Sequence, residues 1–131
     1  MEFAWEFGEG AFDVVVRVAG KVTVDEVVAN RVALLSDPRM HPGMNALWDY
    51  TEADGSGLSA DDIRLLADDA KRFASVGLRA IAIAATKPLT FGLVRMFEAH
   101  TTVHGIAEHV TVVETVAAAE EWLAGLSRSR G

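Results

Sequence analysis

At 131 residues with 50% apolar side chains, the chain has the size of one domain and enough apolar surface for a core, which excludes a disordered or fibrous protein. Its 12 basic and 19 acidic residues leave a net charge of −7, and the basic residues stand singly apart from Lys71-Arg72, which excludes a polyanion-binding surface. The absence of cysteine removes disulfides, thiolate metal sites and thiol nucleophiles, and suits a reducing cytoplasm.

No apolar run approaches the roughly 20 residues that cross a bilayer, and residues 1–6 carry acids where a secretion signal needs bases. A cytoplasmic protein without membrane insertion is therefore expected. Strands are predicted over 2–7, where Phe3, Trp5 and Phe7 alternate with small or charged residues, and over 12–19, a β-branched run. Gly8-Glu9-Gly10 between them is expected to supply the positive φ angles of a hairpin turn. Gly20 closes the second strand. Thr23 and Glu26 then have the spacing of a capping box, so a helix starts near Val24, carries Val24, Val27, Val28, Val32 and Leu35 at helical spacing, and stops at Asp37-Pro38.

Residues 39–44 read as loop, 45–50 as a third strand, and 51–57 as a polar, glycine-containing connection. Ser59 and Asp62 form a second capping signature, after which Ile63, Leu66, Ala70 and Phe73 share a helical face and Gly77 supplies a left-handed stop. Residues 79–85 are almost wholly apolar, as in a central parallel strand covered on both faces. Pro88 suits the first turn of a third helix over 89–101, 110–113 is a short fifth strand, and Thr115 caps a last helix through Leu126. The order ββαβαβαβα predicts a single α/β domain over 1–126, with a mostly parallel five-stranded sheet, helices packed around it, an antiparallel strand at one edge and a loose tail over 127–131.

Several stretches resemble the STAS-like proteins of bacteria, small domains with the fold of the sporulation anti-sigma-factor antagonist (SpoIIAA-like). They are Gly20-Lys21-Val22-Thr23, Asp37-Pro38-Arg39, Leu47-Trp48-Asp49, the run from Phe91 to Phe97, and Ala117-Ala118-Ala119-Glu120-Glu121-Trp122-Leu123. The likeness runs from about Val14 to Leu123 and implies a SpoIIAA-like sheet, often a homodimer, and a non-enzymatic regulatory or protein-interaction role. In that family a serine in an Asp-Ser-Ser-Gly-Leu stretch before the second helix is phosphorylated by a partner kinase, which switches partner binding. The matching stretch is Asp54-Gly55-Ser56-Gly57-Leu58, so the resemblance implies Ser56 as phosphoacceptor, with Gly55 in place of the first serine. The Ser59/Asp62 cap places the Ser56 hydroxyl in the loop ahead of the helix.

Open α/β sheets offer a competing site, because ligands bind at the carboxyl ends of their parallel strands. Asp49-Tyr50, Thr86-Lys87 and Glu114-Thr115 are expected to end three strands at one rim, where the amides opening the third helix and the charge of Lys87 favour an anion. Neither GxGxxG nor GxxxxGK[ST] occurs, so the rim suits a small, partly apolar or anionic molecule, with Asp49, Tyr50, Lys87, Phe91 and Arg95 as its candidate residues. The third helix, apolar at Phe91, Leu93, Val94, Met96 and Phe97, suits a core, a second subunit or a ligand. His100 and His104, four apart, are a metal pair without a third ligand in view. With no GxSxG elbow and no histidine spaced as a base for Ser56, no catalytic residue and no cofactor are assigned. Core packing accounts for Trp5, Trp48 and Trp122.

Overall fold

Strong local signals set the element order: β1 (Glu2–Phe7), β2 (Val14–Lys21), α1 (Val24–Leu35), β3 (Asn45–Asp54), α2 (Ala60–Asp69), β4 (Ala80–Ala84), α3 (Pro88–Thr101), β5 (His109–Val113) and α4 (Val116–Ser129). The structure is a computed structural model describing residues 1–8 and 10–129, with side chains as far as Ser127. Short 3-10 turns, Ala70–Phe73 and Thr102–His104, extend α2 and α3. The strands lie in the order β1-β2-β3-β4-β5, with β1 antiparallel to β2 at the edge and the other pairs parallel. This is the α/β sheet that the sequence predicts.

Because side chains alternate along a strand, the sheet has two distinct faces. Val14, Val16, Trp48, Ile81, Ile83 and Val112 form one core with Val27 and Leu34 of α1, Leu66 of α2 and Val94 of α3. Leu47, Ala80, Ala82 and Ala84 point the other way and pack with Ala119 and Leu123 of α4. Crossovers of one hand between neighbouring parallel strands put their helices on the same side, so α1, α2 and α3 share a face and α4 covers the other.

Two caps secure the helices next to the candidate site. At α2 the capping box is complete, with Ser59 Oγ accepting from the Asp62 amide at 3.1 Å and the Asp62 carboxylate accepting from the Ser59 amide at 2.9 Å. At α1, Thr23 Oγ1 accepts from the Glu26 amide, but the Glu26 carboxylate takes the Thr23 hydroxyl at 2.8 Å and the Met1 ammonium at 3.3 Å. That carboxylate does not close the box expected there, because a charged donor and a hydroxyl compete for it.

Several boundaries differ from expectation. β2 and β3 continue to pair through Gly20↔Ala53 and Lys21↔Asp54, beyond a register irregularity between Arg17 and Ala19. Pairing with a neighbour thus carries the polar segment 51–54 into the strand, and Gly20, at φ 81°, lies inside β2. Gly8 does not adopt the positive φ expected at the first hairpin, and its amide reaches across a longer link to the Asp13 carbonyl at 3.2 Å; Glu9 lies outside the described residues. On α1 the buried residues are Val27, Asn30, Arg31 and Leu34, whereas Val32 is exposed, so the inward stripe is rotated from the one predicted. Residues 127–129, expected as loose tail, continue α4, and Arg130 and Gly131 lie outside the described residues.

Candidate functional site

Between the sheet and the layer of α1, α2 and α3 lies a cavity of about 70 Å³. The periods of the elements explain its lining. Trp48 and Tyr50 stand two apart on β3, as do Ile81 and Ile83 on β4, while Val27 and Arg31 stand four apart on α1. On α3, Thr90, Val94 and Phe97 recur at helical spacing and complete the outer wall with Leu93. Trp48 meets Phe73 edge to face, with centroids 5.4 Å apart and ring planes at 84°, which fixes the indole at the cavity wall.

Polar groups at this cavity are few and specific. Arg31, only 7% exposed, donates from Nη1 to the Leu66 carbonyl oxygen at 2.7 Å and to Asp69 Oδ2 at 3.0 Å. Its guanidinium carbon lies 5.9 Å and 5.5 Å from the ring centres of Phe73 and Phe97. A buried charge needs such partners to be tolerated. Burial pushes the Tyr50 phenol above its usual range, against the opposing pull of Arg31, so the hydroxyl remains a donor at neutral pH. Buried Thr90 joins α3 to the loop after β3: its Oγ1 accepts from the Gly55 amide at 3.0 Å and donates to the Ala53 carbonyl at 3.3 Å.

Asp69 divides its oxygens between two cations, Oδ2 to Arg31 and Oδ1 to Arg72, whose Nε lies 3.0 Å away. Burial would raise its pKa, but the hydrogen bonds from Arg72 and Arg31 outweigh that and hold it below the usual carboxylate range. The carboxylate therefore stays ionised as the counterion of Arg31.

The structure brings only part of the expected rim together. Tyr50 lines the cavity, while Asp49, its neighbour along β3, points to the opposite face beside Val15 and Leu47 and accepts from the Thr51 amide at 3.0 Å and hydroxyl at 2.6 Å. Asp49 and Tyr50 also lie within β3 and do not end it, because the strand extends to Asp54. Exposed Lys87 is the N-cap of α3, half-buried Phe91 packs against the core, and exposed Arg95 pairs with Glu98 at 3.5 Å.

Ser56 is exposed in the loop between β3 and α2, three residues before the cap Ser59, and its amide donates to Asp54 Oδ1 at 2.9 Å. That contact chiefly, with Lys87 and Lys21 adding their charges, holds the Asp54 carboxyl below its usual range. A Cβ on neighbouring Gly57 would approach Lys21 Cε to 2.8 Å, which places that lysine against the loop. His100 and His104 lie at the end of α3 and in the turn after it, and among the described residues no three His, Asp or Glu side chains gather as a metal site.

Sequence reasoning missed Arg31, Thr90 and the part Trp48 plays at the cavity. Arg31 had a usable signal, a cation four residues after Val27 and three before Leu34, which places it within the buried stripe of α1. Thr90 had none, since a threonine in a first helical turn is usually a local cap.

The fold matches that of a protein from Shewanella loihica PV-4, described as an uncharacterized member of the DUF3478 family with a SpoIIAA-like fold. The two are 22% identical, the match covers 93% of this chain and 92% of that one, and the TM-score is 0.54. The chain therefore has a SpoIIAA-like fold. No family model and no curated protein matches the sequence. No helix among the described residues is long and apolar enough to cross a membrane.

Proposed function

We propose that this SpoIIAA-like module binds a small, partly apolar molecule between its sheet and the layer formed by α1, α2 and α3. The observation that carries the reading is the cavity of about 70 Å³, walled by aromatic and aliphatic side chains and bordered by Arg31, Tyr50 and Thr90. Small-molecule sites typically combine an apolar wall with a few placed polar groups. A water needs roughly 10–15 Å³ of such space, so the volume exceeds an ordinary packing defect. The binding is non-enzymatic in this reading.

Native mass spectrometry of the freshly purified protein tests it. A non-covalent adduct of small-molecule mass, lost from a Val94→Trp variant that fills the cavity, is expected. A ligand-free wild type, with no shift of the Trp48 indole N–H resonance against a panel of apolar small molecules, refutes the reading.

A second reading is the phosphorylation-switched interaction module, favoured by the exposure of Ser56 and by Lys21 and Lys87 near its loop. A phosphate there would find two cations to receive it. The same spectra read a covalent phosphate and the subunit count, so they also test Ser56 modification and the homodimer. An unmodified monomer from the native host removes both.

A further inference from the structure

We infer that the molecule held in this cavity is an apolar monocarboxylate and that Arg31 receives its carboxylate; the inference rests on the ligand-binding reading above. Among the residues lining the cavity, Arg31 is the only charged side chain, so no carboxylate on the wall repels an acid while one guanidinium attracts it. A guanidinium carries five N–H donors in a planar fork that accepts a carboxylate by two parallel hydrogen bonds. Only Nη1 is engaged here, by the Leu66 carbonyl and Asp69; Nε and Nη2 have no protein acceptor among the described residues.

The counterion leaves room for a second anion. Asp69 gives its other oxygen to Arg72, so one carboxylate faces two guanidiniums and the cluster carries an excess positive charge. Arg72 stands at the surface, where water screens it, whereas Arg31 is buried at the cavity wall, where an anion has the larger effect. Tyr50 also lines the cavity, and its phenol can supply a second donor. Thr90, by contrast, already uses its hydroxyl as both acceptor and donor, so it closes the wall and is not assigned to the ligand. A neutral apolar ligand would leave the free edge of the Arg31 fork and the phenol unanswered, and an amine would meet like charge.

The test uses the full chain and three probes of equal length, hexanoate, 1-hexanol and hexylamine, followed at the Trp48 indole N–H and the Thr90 methyl. Hexanoate is expected to bind at least tenfold more tightly than hexanol, and hexylamine most weakly. Arg31→Met is expected to abolish the preference, so that hexanoate binds no more tightly than hexanol. Because removing one member of a buried pair can unfold a protein, Arg31→Met/Asp69→Asn, which neutralises both, serves as the second variant. Equal binding of hexanoate and hexanol by the wild type overturns the carboxylate inference but leaves the cavity reading standing. Binding of neither overturns both. A hexanoate preference that survives the double variant overturns the assignment to Arg31.

Discussion

Thr90→Val is a near-isosteric change that isolates the polar link between α3 and the end of β3. In the wild type, Oγ1 accepts from the Gly55 amide at 3.0 Å and donates to the Ala53 carbonyl at 3.3 Å, and Thr90 is only 3% exposed. Valine keeps the shape but leaves a buried amide without an acceptor, at a cost of about 1–3 kcal/mol, and removes a carbonyl contact worth about 0.5–1.5 kcal/mol. Against this, replacing a hydroxyl by a methyl gains roughly 1 kcal/mol of apolar burial. The net loss is about 2 kcal/mol, a fall in Tm of roughly 6–10 °C for a domain of this size. Urea titration with parallel calorimetry measures it, and Thr90→Ser, which keeps both hydrogen bonds, is expected to lose less. Two results refute the reasoning: a Thr90→Val variant within about 0.5 kcal/mol of wild type, or a Thr90→Ser variant as unstable as the valine.

Ser59→Ala opens the complete capping box of α2 and is expected to cost about 1 kcal/mol in a chemical denaturation titration. Ala82→Val adds volume where β4 meets α4; Ala82 is fully buried, so a loss of about 1–3 kcal/mol is expected, and a neutral result would mean that this interface has slack. The pKa of Asp69 is lowered in the folded state, so its contribution is present above the ordinary carboxylate range and is lost as pH falls through the folded value. Thermal melts of wild type and Asp69→Asn should therefore differ clearly near neutral pH and converge only as the pH falls below the ordinary carboxylate range. A stability gap independent of pH would show that Asp69 does not act as a charge.

Local chemistry made most of the fold legible. The threonine and serine caps, the β-branched run of β2 and the continuous apolar one of β4 each specify their element without help from the rest of the chain, and their order then implies a parallel sheet with a hairpin edge. The end of β3 was not legible, because Thr51, Glu52 and Asp54 are polar, yet pairing of Glu52 to Asp54 with Ala19 to Lys21 draws the segment into the strand. That extension also explains the incomplete rim: it moves Asp49 and Tyr50 into the strand interior, where neighbours along the chain face opposite ways. Of the candidate site, Tyr50 and the apolar excess of α3 were legible. Arg31 was hidden by the ordinary expectation that a cation on a helix faces water, which fails where a carboxylate and two aromatic rings receive it.

The two faces of one strand explain why a cavity and structural closure can be separate in so small a domain. β4 alternates Ala80, Ala82 and Ala84 on one side with Ile81 and Ile83 on the other. Small side chains under α4 allow a helix carrying Ala119 to approach closely, so that interface is filled by backbone proximity and a few apolar contacts. On the other side, isoleucines and Trp48 hold the helix layer off the sheet, and that layer contributes Arg31 and Thr90, whose polar partners fix their positions more tightly than apolar contact would. Space bordered by fixed polar groups therefore arises on the three-helix face. A one-residue slip of β4 would place the isoleucines under α4 and the alanines at the cavity, so the same two-residue period that closes the fold also determines where the cavity lies.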